Sequence, residues 1–306
     1  MIALILIGGM GTRLRPFTSD IPKPLLPDVN RPFLRYQFEI LRRHGVKEAI
    51  LCTSYKPEVF RRQLGDGRAL GLRLRYVHEK TPLGTGGAIK NAAPFLNDTV
   101  LALNGDVLNA IDVTAFLKAH RLRRADLSIA LTRVKDPTLY GVVETAPDGR
   151  IRKFVEKPSW DELESNTINA GAYLFEPTVL KRIPPGVNYS LERSLFPQLL
   201  ADGARLFGYV SPGYWIDIGT VEKYLQVHLD ILGGLTPFQP QGRKNGRVLL
   251  GQGARLGREL TIEPSSGRVV LGPGAVVKDF ARLARNVCIG ARCEIGRGAS
   301  LEDCLV

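Results

Sequence analysis

The feature that most constrains the fold of this 306-residue chain is a six-residue periodicity near its C-terminal end. An aliphatic residue recurs every six positions, with one gap of nine, at Leu250, Leu256, Ile262, Leu271, Val277, Leu283, Ile289, Ile295 and Leu301. A small or apolar residue recurs four positions after each of them. This register is typical of a parallel β-helix built from hexapeptide repeats, in which three hexads make one coil. We therefore predict a short left-handed parallel β-helix over residues 248–306.

The gap of nine in this repeat is interpreted as one hexad that carries a three-residue insertion around Ser266–Arg268. The small position of that hexad would be Ser266 itself, and Cys293 would lie in the interior stack. Nine hexads at three per coil predict about three coils.

The N-terminal part of the chain, up to about Asp230, shows a different pattern, in which short apolar runs alternate with amphipathic stretches. The runs predict strands at residues 2–7, 48–53, 74–78 and 100–103, and the amphipathic stretches predict helices at residues 33–44, 57–64 and 86–95. Such alternation predicts an α/β fold, a Rossmann-like and mostly parallel sheet with helices on both faces. Ligands of such sheets bind beyond the carboxyl ends of the strands. The loops after Ile7 and Leu103 are therefore the expected location of the site.

A change in composition separates these two regions. The segment 233–246 reads GGLTPFQPQGRKNG, and its Gly, Pro and Gln content is typical of a linker. We predict a catalytic domain over residues 1–232, a linker over 233–247 and the repeat domain over 248–306.

The net charge of +12 is high, with 42 Lys and Arg residues against 30 Asp and Glu residues. It is spread along the chain, and no zinc-finger spacing or aromatic RNA-binding signature accompanies it, so we expect no nucleic-acid partner. The apolar runs are far shorter than the roughly 20 residues of a membrane span, and no signal peptide is recognisable. We therefore expect no membrane partner and a cytoplasmic location. The four cysteines form no CxxC pair and are interpreted as small apolar side chains.

The loop after the first strand carries the most informative motif. It reads GGMGTRLRP over residues 8–16, and PKP follows at residues 22–24. The glycines allow backbone amides to approach an anion closely, and Arg13 and Lys23 suit a polyphosphate. A Rossmann dinucleotide fingerprint is disfavoured because Leu14 occupies the place of its third glycine, and the Gly-Lys-Ser/Thr ending of a Walker P-loop is absent. A plain glycine-rich turn is the structural alternative.

Together with the segments that follow, this loop resembles the signature of the sugar-1-phosphate nucleotidyltransferases. The further segments come in that family's order, and they read PLGTGGA (82–88), NGD (104–106), YGVV (140–143), FVEKP (154–158), NAG (169–171) and WIDIG (215–219). A C-terminal hexapeptide β-helix is also common in the family. The resemblance covers nearly the whole chain. It implies transfer of a nucleoside monophosphate from an NTP to a sugar 1-phosphate, with release of pyrophosphate.

The resemblance also implies roles for individual residues. Arg13 would hold the β- and γ-phosphates, Lys23 would bridge the α-phosphate and the sugar phosphate, and Asp106 with Asp217 would bind Mg²⁺. The implied nucleotide contacts are Leu6, Gly8, Gly9, Gly11, Thr12, Arg13, Pro82, Gly84, Thr85, Asn104 and Gly105. The implied sugar-phosphate contacts are Tyr140, Gly141, Glu156, Lys157, Asn169 and Gly171.

Several of these residues have structural alternatives. Asp106 could be only a turn residue, and Asp217 could cap a helix that begins near Thr220. Glu156 and Lys157 could form a surface pair at a strand end. Asn169 and Gly171 could be only strand and bulge residues, and Tyr140 a packing residue.

The LGTGGA form of the loop at residues 83–88 resembles the guanylyltransferases that act on mannose 1-phosphate or a manno-heptose 1-phosphate. GTP and mannose 1-phosphate are therefore the expected substrates, and GDP-mannose and pyrophosphate the expected products. UTP or dTTP with glucose 1-phosphate is the alternative within the class. A non-catalytic paralogue that binds nucleotide sugar is the alternative outside it.

An acyltransferase is disfavoured because the repeat region contains no histidine to serve as general base.

A β-helix exposes apolar surface at an uncapped end, so we also expect a homo-oligomer, preferably a dimer, that forms through the repeat region.

Overall fold

The structure, a computed structural model, describes residues 1–263 and 267–306. The chain forms two compact units. The first unit comprises Met1–Met10, Asp20–Pro24 and Gln37–Trp215, and the second comprises Gly11–Ser19, Leu25–Tyr36 and Ile216–Val306. The glycine-rich loop therefore passes from the first unit to the second between Met10 and Gly11.

The regular elements are numbered in chain order. The first thirteen strands are β1 (Ile2–Leu6), β2 (Pro27–Asp28), β3 (Arg31–Pro32), β4 (Glu48–Thr53), β5 (Arg73–His78), β6 (Val100–Asn104), β7 (Val107–Asn109), β8 (Leu127–Arg133), β9 (Gly141–Thr145), β10 (Ile151–Glu156), β11 (Thr167–Phe175), β12 (Leu206–Val210) and β13 (Trp215–Asp217). The remaining strands are β14 (Arg243–Asn245), β15 (Val248–Leu250), β16 (Arg255–Leu256), β17 (Thr261–Ile262), β18 (Val269–Leu271), β19 (Val276–Val277), β20 (Arg282–Ile289), β21 (Glu294–Ile295) and β22 (Ser300–Leu305).

The α-helices are α1 (Leu34–Arg43), α2 (Pro57–Leu64), α3 (Gly84–Asn91), α4 (Val113–Leu122), α5 (Phe196–Ala201) and α6 (Val221–Leu232). Short 3-10 helices lie at Thr12–Leu14, Lys23–Leu25, Arg68–Leu70, Ala93–Phe95, Trp160–Glu162 and Pro177–Arg182, and a π-helical turn lies at Leu191–Leu195. Among the described residues, no helix has the length and apolar character needed to cross a membrane.

The first unit is built on a nine-stranded sheet. Seven of its strands follow the order β10-β9-β11-β6-β1-β4-β5; of the other two, β8 pairs with β11 and β12 pairs with β8. Strands β6, β1, β4 and β5 are mutually parallel, with Ile5 opposite both Leu51 and Leu103. The centre of β1 is fully buried, as its continuous apolar run predicts for a strand covered on both faces. The α/β class and the parallel sheet predicted from the strand–helix alternation are thereby confirmed.

The later strands add an antiparallel part that the sequence analysis did not separate. Strand β11 pairs antiparallel with β6, β8 and β9, and β10 pairs antiparallel with β9. The pairing of β11 with β8 shifts register between Asn169 and Tyr173, which marks a β-bulge. Because bulges redirect the backbone and its side chains, this irregularity sets the direction of the Asn169 side chain and the backbone conformation at Gly171.

The third predicted helix, 86–95, was placed two residues too late and extended too far. Helix α3 begins at Gly84, whose φ of 69° suits glycine, and it ends at Asn91. A separate 3-10 turn follows at Ala93–Phe95, with Pro94 inside it. Proline lacks the N–H that a continuing α-helix needs, so the α-helix ends before it.

The repeat region forms parallel strand pairs at nearly constant offsets in sequence number. Strands β15, β16 and β17 pair at an offset of 21, as in Val248 with Val269. Strands β18 and β19 then pair at an offset of 18, as in Val269 with Val287. Strand β20 pairs with β22 at the same offset up to Ala284 and at 17 from Val287, after a register shift. An offset of 18 equals three hexads, and the three additional positions of the first offset match the predicted insertion. The parallel strands are consistent with the predicted β-helix; the β-helix and its handedness stay predictions, and Ser266 lies outside the described residues.

The nine aliphatic positions of the repeat pack into one hydrophobic cluster. Leu250, Leu271 and Ile289 are almost fully buried in it, and Cys293 packs against it as a partly buried thiol. The predicted linker contains ordered structure: β14 pairs antiparallel with β15, and Phe238 is fully buried against Tyr36, with ring centroids 5.2 Å apart. Apolar packing therefore holds part of this Gly- and Pro-rich segment in place.

Candidate active site

A cavity of about 380 Å³ lies in the first unit, at the carboxyl ends of β1, β4, β5 and β6. This is the edge at which the strand–helix pattern predicts a ligand. The cavity is lined by Leu6, Ile7, Gly8, Gly9, Lys23, Pro24, Cys52, Ser54, Glu79, Pro82, Gly84, Thr85, Ala88, Asn104 and Asp106.

Most of the implied nucleotide contacts of the first unit line this cavity. They are Leu6, Gly8, Gly9, Pro82, Gly84, Thr85 and Asn104, with the implied catalytic pair Lys23 and Asp106 beside them. Gly11, Thr12 and Arg13 belong to the second unit. Motif comparison did not predict Ser54 or Glu79, since each follows a strand outside any recognised motif. Burial raises the pKa of the Cys52 thiol, which agrees with a structural role for that cysteine.

Two glycines at strand ends allow the backbones of this edge to approach one another. A side chain at Gly105 would place its Cβ 2.3 Å from Ile7 Cγ2 and 2.8 Å from the carbonyl oxygen of Leu6. Its own N–H donates to that carbonyl at 2.9 Å. Gly8 accepts a hydrogen bond from Ser54 Oγ at 2.8 Å. The absence of a side chain at Gly105 therefore sets the position of Asp106, the next residue.

Lys23 and Asp106 form the charged pair of the cavity. Lys23 Nζ donates to Asp106 Oδ2 at 2.8 Å, although the two residues are far apart in sequence. The lysine is 7% exposed, whereas the aspartate side chain is 44% exposed. Gln37 stabilises the turn that contains Asp106, since its Nε2 donates to the carbonyl oxygens of Asn104 and Val107 at 2.7 and 2.6 Å. The structure therefore gives Asp106 an ion pair in addition to its place in a turn.

The loop at residues 82–87 is held by a segment that comes much later in the chain. Its glycines Gly86 and Gly87 donate from their backbone N–H groups to the carbonyl oxygen of Tyr189, at 2.8 and 3.1 Å. Tyr189 N donates to the carbonyl of Leu83 at 2.8 Å, and Asn188 Nδ2 to that of Pro82 at 3.0 Å. We call residues 188–192 the strap. It fixes the cavity wall that carries Pro82, Gly84 and Thr85.

The Glu192 carboxylate connects the loop at residues 82–87 to strand β11, which carries the implied sugar contacts Asn169 and Gly171. Its Oε2 accepts hydrogen bonds from Thr85 Oγ1 at 2.8 Å and Ser190 Oγ at 2.9 Å. Its Oε1 accepts one from Tyr173 Oη at 3.3 Å. Tyr173 Oη in turn accepts from Asn169 Nδ2 at 2.9 Å. Sequence analysis did not identify Glu192, because Thr85 and Tyr173 are distant from it along the chain.

The implied sugar contacts on β11 are held by the bulge of that strand. Asn169 Oδ1 accepts from Gly171 N at 3.0 Å. Gly171 has a φ of 69°, and a Cβ there would lie 3.0 Å from Asn104 Nδ2. The left-handed conformation and the close approach both favour glycine at this position. The structure therefore brings Asn169, Gly171 and Asn104 together.

Three further implied sugar contacts surround the end of β10. Gly141 leaves room for the ring of Phe154 and for Glu156, whose Oε2 would lie 2.8 Å from a Cβ on that glycine. Lys157 adopts a φ of 52°, and its N–H donates to the carbonyl of Tyr140 at 3.0 Å. Burial raises the pKa of Glu156, and the nearby Glu192 carboxylate raises it further. Glu156 is partly buried and Lys157 is exposed.

The ring of Tyr140 packs edge-on against Trp215, with centroids 5.3 Å apart. The indole of Trp215 donates from Nε1 to the carbonyl of Ala170 at 3.0 Å. Tyr140 therefore has a packing role, as in its alternative interpretation. Its contact with Trp215 joins the start of β9 to the segment that contains this tryptophan.

The second unit contains a separate set of implied site residues. Asp217 Oδ2 lies 2.6 Å, and Arg13 Nη2 3.3 Å, from the position that a Cβ on Gly219 would occupy. Gly219 therefore allows an aspartate and an arginine to share a small space. Asp217 forms an ion pair with Lys223, and the cap of helix α6 is Thr220, whose hydroxyl accepts from Lys223 N at 3.4 Å. The alternative interpretation of Asp217 as the helix cap is therefore wrong, because Thr220 takes that role.

Oxygen atoms suited to a divalent cation are present among the implied site residues. Within residues 1–263 and 267–306, no three His, Cys, Asp or Glu residues are grouped as a metal cluster. Asp106 Oδ1 accepts no hydrogen bond from the described residues, and the buried Asn104 Oδ1 also lacks a partner there. Mg²⁺ is usually held by one or two carboxylates together with substrate phosphates. The donors present fit such a site.

Known proteins resemble this chain over most of its length. The profile of the family described as "Nucleotidyl transferase" matches residues 2–233. The mannose-1-phosphate guanylyltransferase of Mycobacterium tuberculosis is 42% identical over 300 residues, which cover 96% of this chain and 81% of that protein. The mannose-1-phosphate guanylyltransferase 1 of Arabidopsis thaliana is 36% identical over 313 residues, 99% of this chain and 83% of that protein.

Two solved structures resemble the fold. HddC from Yersinia pseudotuberculosis, complexed with GMP-PN, is 30% identical, with a TM-score of 0.65 over 74% of this chain and 97% of that one. A putative glucose-1-phosphate thymidylyltransferase from Bacillus anthracis is 24% identical, with a TM-score of 0.67 over 74% of this chain and 94% of that one. The second likeness bears on the fold alone.

Proposed function

This chain belongs to the nucleotidyl transferase family, and from that premise we propose that it transfers GMP from GTP to mannose 1-phosphate. The products would be GDP-mannose and pyrophosphate. The observation that carries the proposal is the cavity in which glycine backbone, Lys23 and Asp106 meet at the carboxyl ends of β1 and β6. The base and sugar are supported by the names of the relatives, which match nearly the full chain.

The chemistry requires charge neutralisation more than proton transfer. A phosphate monoester has a second pKa of about 6, so the attacking oxygen of mannose 1-phosphate is largely ionised at neutral pH. This oxygen attacks the α-phosphorus of GTP, and the bond to the β-phosphate oxygen breaks as pyrophosphate leaves. Since both reactants are polyanions, positioned cations are expected to supply most of the rate enhancement.

Lys23 is proposed to contact the α-phosphate and the sugar phosphate. Its ammonium group is buried, and it is held by a single carboxylate oxygen of Asp106 at 2.8 Å. An ammonium carries three donors, so two remain to bind phosphate oxygens. Lys23 begins a short 3-10 helix, Lys23–Leu25, and lies between Pro22 and Pro24, whose rings restrict the backbone on either side of it.

Arg13 is proposed to hold the β- and γ-phosphates and to stabilise the leaving pyrophosphate. Its planar guanidinium can donate two parallel hydrogen bonds to phosphate oxygens. The remaining nucleotide contacts are proposed to come from Leu6, Gly8, Gly9, Gly11, Thr12, Pro82, Gly84, Thr85, Asn104 and Gly105.

Asp106 and Asp217 are proposed to hold Mg²⁺, with the free Oδ1 of Asp106 as one ligand. When bound, Mg²⁺ would neutralise part of the triphosphate charge. The sugar phosphate is proposed to contact Lys157, and the mannose hydroxyls Glu156 and Asn169, with Tyr140, Gly141 and Gly171 shaping that side.

Three further proposals concern organisation. The domain boundaries 1–232, 233–247 and 248–306 are proposed as the functional division of the chain. A homodimer that forms through the repeat region is proposed as the assembly, and light scattering on the purified protein would test it. A cytoplasmic location is proposed on the basis of the substrates.

The test of function is a matrix of substrates. The protein is incubated with Mg²⁺ and each of GTP, UTP, dTTP, ATP and CTP, paired with mannose, glucose or manno-heptose 1-phosphate, and pyrophosphate is measured. We expect the highest kcat/KM for GTP with mannose 1-phosphate. Preference for dTTP or UTP with glucose 1-phosphate would overturn the substrate choice, and absence of pyrophosphate in every pairing would overturn the reaction.

A variant tests the metal site within the same assay. Asp106→Asn keeps the size of the side chain and removes its charge, so we expect loss of Mg²⁺-dependent turnover in a protein that still folds, with a lower melting temperature because the buried Lys23 loses its charged partner. Wild-type rates in this variant would show that Asp106 does not hold the metal.

A further inference from the structure

The segment that carries Arg13, residues 11–19, lies at the surface, and two of its side chains are nevertheless buried. These are Leu14 and Thr18, which are 0% and 1% exposed. Leu14 is apolar, so the hydrophobic effect accounts for its burial. Thr18 brings a hydroxyl group into the interior, which is costly unless that hydroxyl forms a hydrogen bond. The partner of the hydroxyl therefore indicates what the burial of Thr18 achieves.

The Thr18 hydroxyl binds the residue at which this segment begins. Its Oγ1 donates to the carbonyl oxygen of Gly11 at 2.8 Å. The same oxygen accepts a hydrogen bond from Leu14 N at 2.9 Å, so both buried residues hold one carbonyl group. Gly11 has a φ of 64° and a ψ of 32°, and the 3-10 turn Thr12–Leu14 starts directly after it. Two hydrogen bonds therefore fix the backbone immediately before Thr12 and Arg13.

The direction of this carbonyl also sets the direction of the next amide. The carbonyl of Gly11 and the N–H of Thr12 belong to one peptide group, which is planar and trans, so the two point in opposite directions. Since the carbonyl is directed at the buried Thr18 hydroxyl, the Thr12 N–H is directed away from it. Rotation of this peptide group would turn the Thr12 amide and displace Arg13, the next residue along the chain.

The Arg13 side chain has little freedom to compensate for such a displacement. Its Nη2 lies 3.3 Å from the position that a Cβ on Gly219 would occupy, within the same unit. The guanidinium thus lies in a space that is narrow enough to favour glycine. Movement of the backbone at Arg13 would change where this group meets a phosphate.

We propose that Thr18 is a positioning residue, whose hydrogen bond to the Gly11 carbonyl orients the Thr12 amide and the Arg13 side chain for binding of the β- and γ-phosphates. The inference rests on the proposed function, in which Arg13 holds these two phosphates. Because Thr18 is buried, it acts through Gly11 and not by contact with the nucleotide. It lies outside the segments 8–16 and 22–24 that carry the resemblance in this part of the chain.

Thr18→Val tests the hydroxyl, since it puts a methyl group of similar size in its place. We expect Kd for GTP with Mg²⁺, measured by isothermal titration calorimetry without sugar phosphate, to rise about 3- to 10-fold, the effect of losing one hydrogen bond. Kd for GMP, which has no β- and γ-phosphates, should stay within about twofold of the wild type. In the reverse reaction, KM for pyrophosphate should rise by a similar factor, and KM for GDP-mannose should stay within about twofold.

Two further variants separate this role from a general effect on the fold. Thr18→Ser returns the hydroxyl, so it should restore Kd for GTP to within about twofold of the wild type. Thr99→Val is the matched control, because Thr99 is also buried and its Oγ1 donates to Glu176 Oε1 at 2.8 Å. Thr99 precedes β6, at the end of that strand opposite to Asn104, and it does not line the cavity. This variant should bind GTP and GMP as the wild type does.

A ratio of Kd for GTP to Kd for GMP that changes less than twofold in Thr18→Val would overturn the inference. The same conclusion would follow if Thr18→Ser bound GTP as weakly as Thr18→Val does. If circular dichroism shows that Thr18→Val does not fold, Thr18→Ala, which removes the hydroxyl without adding bulk near the carbonyl, replaces it in the same comparison. Failure of the proposed function has a different signature, because the wild-type protein would then release no pyrophosphate and bind GTP no more tightly than GMP.

Discussion

The strap contact of Glu192 makes a quantitative prediction about both stability and substrate binding. One carboxylate accepts hydrogen bonds from Thr85, Ser190 and Tyr173, so it joins the nucleotide-side loop to the strand that carries Asn169. Glu192→Gln keeps the shape of the side chain and one acceptor oxygen. The shortest bonds, at 2.8 and 2.9 Å, converge on Oε2, so the amide oxygen should take that position.

The expected loss of stability follows from the charged character of the hydrogen bonds to Glu192. The Thr85 and Ser190 bonds lose their charge assistance, which is worth about 1 kcal/mol each, because bonds to charged groups contribute about 1.5–3 kcal/mol and neutral ones about 0.5–1.5 kcal/mol. The Tyr173 hydroxyl faces an NH₂ group and loses its acceptor. Glu192 is only partly buried, and loss of its charge also relieves repulsion with Glu156. Since these two factors reduce the loss, we expect a net destabilisation of about 1–2 kcal/mol.

Urea unfolding measures this change, and a double-mutant cycle locates it. Thr85→Val removes the hydroxyl from the other side of the same bond, so the two variants should be non-additive by at least about 0.5 kcal/mol. In the pyrophosphate assay, Glu192→Gln should raise KM for both the NTP and the sugar 1-phosphate. A free energy of unfolding within about 0.5 kcal/mol of the wild type, the size of an ordinary surface substitution, together with additive effects of the two substitutions, would refute the argument.

Three other predictions follow from the same geometry. Lys23→Met should lower kcat/KM by at least about 100-fold without loss of folded protein, since one phosphate-binding group is removed, and Lys23→Arg should not restore it; steady-state kinetics checks both. Gly105→Ala should lower the free energy of unfolding by about 1–3 kcal/mol, because its Cβ would lie 2.8 Å from a backbone atom and 2.3 Å from a side-chain atom. Gly9→Ala is the control: no atom lies within 4 Å of its Cβ, so urea unfolding should show a change of less than about 0.5 kcal/mol. The negative charge of Glu192 raises the pKa of Glu156, so Glu192→Gln should move the acidic limb of the profile of kcat/KM for the sugar phosphate to lower pH, and an unmoved limb would contradict this coupling.

The parts of the fold that the sequence predicted well are those in which one backbone geometry repeats. The nine aliphatic positions of the hexads share one hydrophobic cluster, so their regular spacing is visible in the sequence. The central parallel strands are equally visible because both faces of each are buried. Strand β11 was not identified, because its pairing depends on the distant strands β6 and β8 and on a bulge after Asn169. Strands β9 and β10 form a local antiparallel hairpin, which the sequence analysis also did not identify.

The site residues differ in the same way, since some have a local sequence pattern and others depend on distant partners. Gly84 and Gly105 can be predicted from the sequence, because the positive φ of the first and the close approach of neighbouring chain segments to both favour glycine, and the motifs contain these glycines. Glu192 lies two residues after Ser190, whose hydroxyl caps the following turn, and acidic residues are common in the first turn of a helix. Its second role arises only because folding brings Thr85 and Tyr173 to it from distant parts of the chain. A residue whose function lies in its distant partners leaves no local pattern, and for that reason the strap became visible only in the folded chain.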